Sequence, residues 1–259
     1  MSIRPNPIRA AWKAGQAVFG TFAWSASPRC VEIIGHAGFD YVMFDAEHSP
    51  IDAERLEDLI RASEAAGIPP LVRIPYLHPS LITRTLDSGA AGIIVPQVNS
   101  LADAQLAVAG AKYHPLGRRG MAVARSAGFG LIAAGDDYRA AANRETLLIV
   151  QVETRDAVEQ LPSILALPGV DGILIGPNDL SQSLGYPGQL DLPLVQGVIH
   201  SIVEQCLAAN VPVGMFSGDV ATLRYWRDQG CRLLLCGTEL DLLAAGAQAA
   251  LAAWRESKS

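Results

Sequence analysis

Residues 146–179, TLLIVQVETRDAVEQLPSILALPGVDGILIGPND, decide the fold. A run rich in Val, Ile and Leu (146–153) gives way to an amphipathic stretch beginning ETRDAVEQL, then to a second apolar run (172–177, GILIGP). Strand, helix, strand in that order is a βα unit of a parallel sheet, whose strands are covered on both faces and so read as continuous apolar runs. Outward from this unit the alternation recurs at 18–24 (VFGTFAW), 41–47 (YVMFDAE), 70–75 (PLVRIP), 92–98 (GIIVPQV), 211–217 (VPVGMFS) and 232–239 (RLLLCGTE), each followed by a helical pattern. Eight units in 259 residues match the roughly 250 that one barrel needs. An open dinucleotide-binding sheet is disfavoured, because FGTFAWSASP after the first run holds a single glycine and no Gly-x-Gly-x-x-Gly. The expected fold class is α/β, a single (β/α)8 TIM barrel domain over 1–259. It has an N-terminal segment at 1–17, a long glycine-rich basic loop at 112–130 suited to touching substrate or a neighbouring subunit, and a C-terminal helix at 241–259.

Local punctuation agrees. Ser27-Pro28 and Pro79 have the form of helix starts, while Gly38, Gly67, Gly89 and Gly230 stand where a left-handed residue ends a helix before the next strand. Leu56, Leu59, Ile60 and Ser63 share one helical face, and Arg55, Glu57, Asp58, Arg61 and Glu64 fall largely elsewhere.

Composition narrows the function. Half the residues are hydrophobic and 18% are charged, below the roughly 25% of ordinary domains, so the chain has apolar surface for a large core and for subunit contacts. Twenty Lys plus Arg against 26 Asp plus Glu leave a net charge of -6, which disfavours nucleic acid or an anionic membrane as partner. No apolar run reaches the length of a membrane span, and the start MSIRPNPIRAAWKAGQAVFG lacks a secretory signal, so a cytoplasmic protein is expected. Cys30, Cys206, Cys231 and Cys236 show no Cys-x-x-Cys spacing and read as free thiols.

In a barrel of this class the reacting groups gather where strands end. That criterion picks out Asp45, Glu47 and His48, then Arg73, Gln97, Gln151, Glu153 and Asp179. Glu153 and Asp179 end neighbouring strands, about 5 Å apart if paired, and two oxygen ligands suit a hard cation such as Mg2+ or Mn2+. The alternative is that Glu153 is a first-turn acid of the next helix and Asp179 caps DLSQSL. His48 lies three residues after Asp45, which can orient the ring as a general base; the alternative is a His-Ser-Pro turn with Asp45 bound to backbone. Arg73 interrupts an apolar strand and suits an anion or polarised carbonyl, or an ion pair with Asp45 or Glu47. Lys13, Lys112 and Lys258 are the only lysines and none falls in an expected strand, which argues against a Schiff-base lysine. His36, His78, His114 and His200 read as structural. Asp87 precedes the helix-ending Gly89 and so belongs to the opposite face of its own barrel; roles for it, Arg118 and Arg119 stay open.

FDAEHSP (44–50), LVRIP (71–75), LDSGAAGIIVPQV (86–98), GRRG (117–120), VQVET (150–154) and DGILIGPNDLSQSLGYPG (171–188) together resemble the HpcH/HpaI aldolase family, with the motifs in order from about residue 18 to 240. The resemblance implies a metal-dependent class II pyruvate aldolase, a carbon–carbon lyase, commonly a hexamer whose subunits exchange their last helix. It implies that Glu153 and Asp179 hold Mg2+ or Mn2+, with Co2+ as a further option and without PLP or NAD. It further implies that Asp45 and His48 form the base, that Arg73 holds the keto oxygen, that Glu47 accepts from metal-bound water, and that Gln151 contacts pyruvate. Relatives often carry Trp at Phe22, a small residue at Asn178 and an aliphatic one at Phe216. These three line the expected acceptor region, so the aldehyde is left open. The implied reaction is reversible cleavage of a 4-hydroxy-2-oxo acid, a 2-keto-3-deoxy sugar acid or a hydroxy-oxo-dicarboxylate, to pyruvate and an aldehyde, with hydroxypyruvate as a further donor. Rivals are an acyl-coenzyme A thioester lyase of the citrate-lyase type, an oxaloacetate-type decarboxylase and a non-catalytic sugar-acid-binding barrel.

Overall fold

In a computed structural model, which describes residues 5–131 and 135–256, all eight expected runs are strands: β1 (Val18–Ala23), β2 (Tyr41–Asp45), β3 (Pro70–Arg73), β4 (Gly92–Val95), β5 (Leu147–Val152), β6 (Gly172–Ile175), β7 (Val213–Ser217) and β8 (Leu233–Thr238). They pair in parallel and in chain order, and β8 closes on β1. Most stop one or two residues earlier than the apolar pattern, so Glu47, Gln97, Glu153 and Asp179 sit just past the ladder at the C-terminal rim, while Asp45, Arg73 and Gln151 belong to its last rungs. Around the ring lie α2 (Pro28–His36), α3 (Ala53–Ala65), α4 (Pro79–Asp87), α5 (Leu101–Ala111), α6 (Gly135–Glu145), α7 (Arg155–Leu165), α8 (Pro177–Ser183), α9 (Pro193–Ala208), α10 (Val220–Asp228) and α11 (Glu239–Glu256).

The caps follow the punctuation. Ser27 Oγ accepts from Cys30 N, His78 Nδ1 accepts from Ser80 N ahead of Pro79, and Gly38, Gly67, Gly89 and Gly230 all have positive φ. On α3, Leu56, Leu59, Ile60 and Ser63 are buried while Arg55, Arg61 and Glu64 are exposed.

Side-chain alternation splits the interior in two. Val42, Phe44, Val72, Ile93, Val95, Leu148, Val150 and their outward-facing neighbours pack under the helices. Inside the ring lie Tyr41, Met43, Leu71, Ile94, Leu147, Ile149, Leu174, Leu233 and Leu235, so the ring is filled and not a pore. Gly20 makes room there: a Cβ on it would stand 2.5 Å from the Tyr41 ring, whose hydroxyl donates to Leu234 O.

The N-terminal segment is not featureless. It forms α1 (Pro7–Lys13), capped by Asn6, whose Oδ1 accepts from Ile8 N and whose Nδ2 donates to Ala91 O and Glu145 O. Ile8 enters the inner core and Trp12 Nε1 donates to Arg232 O, so α1 stoppers the N-terminal end of the barrel. The expected loop at 112–130 runs irregularly to a 3-10 segment, Arg125–Gly130. Its first residue is anchored: Lys112, 1% exposed, donates to Asp171 Oδ2 (2.6 Å) and Thr146 O (2.7 Å), and Arg9 pairs with Asp171 Oδ1 (2.6 Å).

Removing one partner of a buried pair is expensive because the other charge stays desolvated. Lys112→Met should therefore lower unfolding free energy by about 3 kcal/mol, with Arg9 still holding Asp171. Urea denaturation with an unchanged slope measures it, and a loss below about 0.5 kcal/mol would show that this pair is not a structural anchor.

Candidate active site

Side chains at the C-terminal ends of β2, β3 and β5 turn inward and converge at the rim. Asp45 and Arg73 are opposite each other in the β2–β3 register. Arg73 Nε donates to Asp45 Oδ1 at 2.9 Å and Nη2 to Asp45 Oδ2 at 2.6 Å, a bidentate pair in which Asp45 is fully buried. Glu47 Oε2 lies 3.3 Å from the same Nε. Under the guanidinium, 4.7 Å away, is the ring of Phe22, which also meets Phe216 at 5.7 Å and Trp24 at 6.4 Å. Both ion pairs weighed for Arg73 are thus made.

The expected Asp45–His48 dyad is not. Asp45 Oδ1 accepts from the backbone amides of Glu47 and His48, which fixes the turn but leaves the imidazole to itself. Both carboxylate oxygens of Asp45 are already taken by Arg73, so the ring finds no acceptor there. His48 is half exposed, and its Nε2 lies 3.8 Å from Glu47 Oε2. Glu47, not Asp45, is the carboxylate within reach of the ring.

On β5, Gln151 and Glu153 point the same way, and Gln151 Nε2 donates to Glu153 Oε2 in a short contact. Glu153 Oε1 accepts from Gln97 N at 2.7 Å. Gln97 reaches it by taking a left-handed φ of 54°, rare for a non-glycine residue. Gly176 opens the space beside Glu153, since a Cβ there would come within 3.0 Å of its Cβ and Oε2. Thr154, not Glu153, caps α7, so Glu153 is no first-turn acid but a 1% exposed carboxylate turned inward. Asp179 stands third in α8, whose cap is Gly176, and it is exposed with no cap bond.

Burial raises the pKa of Glu153; Gln151 and the Gln97 amide oppose the rise, and Asp179 adds to it. Glu47 is likewise raised by burial, opposed by Arg73 and reinforced by Glu153. Asp45, Glu47 and Glu153 act on one guanidinium and Asp179 adds its charge to Glu153, an excess of negative charge that favours a cation. Gln151 Oε1 is buried without a partner, an acceptor with nothing to accept. All donors are hard oxygens, so the residues fit a divalent cation of the Mg2+ or Mn2+ type. Among the described residues no group of three or more His, Cys, Asp or Glu gathers at metal-binding geometry, so a cation between Glu153 and Asp179 would take its remaining ligands from water and substrate.

Asn178 lies exposed on the rim beside Asp179, and Phe216 is half-buried beside Phe22. Asp87 ends α4 at the opposite face and pairs with the buried Arg119 at 2.7 Å, while Arg118 is exposed. Lys112 lies with them, away from the C-terminal rim. Trp24 and Glu239, close to the aromatic wall, were not expected, since nothing in local pattern marks them. Gln97 was in the expected set, but its part is played by a backbone amide that no side-chain reading reveals.

The family model described as HpcH/HpaI aldolase/citrate lyase matches residues 18–245. The chain is 35% identical to hydroxypyruvate/pyruvate aldolase of Roseobacter denitrificans, covering 97% of this chain and 98% of that one. It is 34% identical to 5-keto-4-deoxy-D-glucarate aldolase of Escherichia coli K12, covering 94% of each. A crystal structure of an HpcH/HpaI aldolase/citrate lyase family protein from Burkholderia cenocepacia superposes with a TM-score of 0.90 at 33% identity, over 98% of this chain and 100% of that one. The barrel, the order of its motifs and these matches agree that the chain belongs to the HpcH/HpaI aldolase/citrate lyase family.

Proposed function

We propose that this protein, acting as one barrel domain, is a divalent-metal-dependent aldolase that reversibly cleaves 4-hydroxy-2-oxo acids to pyruvate or hydroxypyruvate and an aldehyde. Carbon–carbon lyase chemistry follows from the family. The observation that carries the rest is the buried Glu153 facing Asp179, beside an unpartnered Gln151 oxygen and Arg73. The names of the two aldolase relatives support the substrate class.

Held by Glu153 and Asp179, Mg2+, Mn2+ or Co2+ would supply Lewis-acid stabilisation of the negative charge that develops on the keto oxygen. The chain's own groups do the remainder. Arg73 has Nε and Nη2 committed to Asp45 and Glu47, which leaves Nη1 for the same oxygen and removes any need to reorganise during reaction. His48, half exposed at the rim, moves the proton between the substrate carbon or hydroxyl and solvent, with Glu47 as the carboxylate beside it. Asp45 contributes by fixing Arg73 and the turn that carries His48. Gln151 Oε1 accepts from a substrate hydroxyl or a water, and Asn178 and Phe216 border the aldehyde.

A hexamer with exchanged last helices is part of this reading. Residues 240–255 of α11 are exposed in the single chain, among them Leu242, Leu243, Leu251 and Trp254. An apolar helix that leaves its own barrel needs another surface. Among the described residues no helix is long and apolar enough to cross a membrane, and the four cysteines are free; both support a cytoplasmic setting.

Exhaustive chelation should abolish cleavage and Mg2+, Mn2+ or Co2+ should restore it; undiminished turnover without metal would defeat the mechanism. His48→Ala should slow deuterium entry into the pyruvate methyl group by about 10²- to 10⁴-fold, measured by proton NMR, and an unchanged rate removes His48 from proton transfer. Light scattering should give six times the 27.4 kDa chain mass, and deletion of residues 245–259 should yield smaller species. A wild-type monomer would exclude helix exchange.

A further inference from the structure

The aromatic wall of the site is held from an unexpected place. Glu239 is the first residue of α11 and is 7% exposed. Its Oε1 accepts from Trp24 N at 2.8 Å and Ser25 N at 2.5 Å, and Oε2 lies 2.8 Å from Trp24 N. Two successive amides converging on one carboxylate form the kind of concavity that binds anions, and here the anion belongs to the chain itself. The approach depends on an irregularity in the β1–β8 ladder. Gly20 pairs with Leu235 but Phe22 with Thr238, so three steps along β8 oppose two along β1, and β8 runs ahead to set Glu239 over the end of β1. Asp241 Oδ2 accepts from Thr238 N and Oγ1, and Asp241 N donates to Thr238 Oγ1, which locks the start of α11 in place.

The segment so held is strained. Ala26 has a left-handed φ of 51°, a conformation disfavoured for a residue with a Cβ. Trp24 Nε1 is buried without a partner. The indole is therefore placed by its backbone amide and by packing on Phe22, which in turn touches Arg73 and Phe216. Past Glu239, the same helix is the exposed α11.

We propose that Glu239 is a positioning residue that ties the seating of α11 to the Trp24–Phe22–Phe216 wall, and through that wall governs selection of the aldehyde. This rests on the aldolase reading above. Glu239 touches no reacting atom; it acts by holding Trp24 and Ser25.

The test separates the donor half-reaction from the aldehyde. For Glu239→Ala, KM for the aldehyde should rise about tenfold, with altered ranking of a short polar and a longer aldehyde, while pyruvate methyl exchange without aldehyde should fall far less. Glu239→Gln retains Oε1, the oxygen that both amides share, and should recover most of the aldehyde KM. Amide hydrogen exchange at Trp24 and Ser25 should quicken in the Ala variant and stay slow in the Gln variant. Equal losses in exchange and aldehyde KM, failure of Gln to rescue, or unaltered aldehyde KM in Glu239→Ala would each overturn the proposal. Wild-type protein without pyruvate exchange would instead overturn the aldolase reading, and this inference with it.

Discussion

A guanidinium with 9% of its side chain exposed can stand at the rim of an apolar ring only if its charge is answered locally, because desolvating an unpaired ion costs several kcal/mol. Asp45 answers Arg73 through two parallel hydrogen bonds, and the β2–β3 register sets the two residues side by side. A slip of one residue would turn one of them outward and leave the other buried alone. The same Asp45 oxygen takes the amides of Glu47 and His48. One buried carboxylate therefore fixes the guanidinium, the neighbouring acid and the turn that bears the imidazole as a unit.

The two ends of the barrel treat polar atoms differently. At the N-terminal end the charges are matched: Lys112 and Arg9 share Asp171, Arg119 holds Asp87, and Asn6 satisfies two carbonyls. The orphans there, Arg9 Nε and Arg119 Nε, are each one nitrogen of a guanidinium whose ion pair is made. At the C-terminal end Gln151 Oε1 and Trp24 Nε1 are buried without any partner, while Glu47 Oε2 has its ion pair with Arg73 but no hydrogen bond. Stability resides at the closed end, and unspent bonding capacity at the open one, as expected of a rim that receives a ligand.

The barrel was legible in the sequence because burial on both faces writes each parallel strand as an apolar run, and the Ser-Pro and glycine signals mark the helices between. Asn6-Pro7 is the same signal as Ser27-Pro28, but with no strand before it α1 stands outside the repeating pattern. The site was legible as a set of residues, since strand ends are enough to gather them. Their partners were not. Whether Asp45 would face His48 or Arg73 depends on the β2–β3 register, and whether Glu153 would start a helix or turn inward depends on Thr154 taking the cap. The Gln97 amide and the Glu239 clamp join residues 56 and 215 apart along the chain, beyond any local pattern.

On the proposed reading, chemistry and selection come from different parts of the ring. The charged groups Asp45, Glu47, Arg73, Glu153 and Asp179 stand at the ends of β2, β3, β5 and β6, whereas Phe22, Trp24 and Phe216 come from β1, its following loop and β7. With β8 between them, β7 and β1 form one continuous arc, so the rim has an apolar side and a charged side that meet where Arg73 lies over Phe22. On the proposed reading, substitutions along the arc reshape what the aldehyde touches while Asp45 and Glu47 still answer Arg73. A barrel permits it because neighbouring strands contribute independently to one rim.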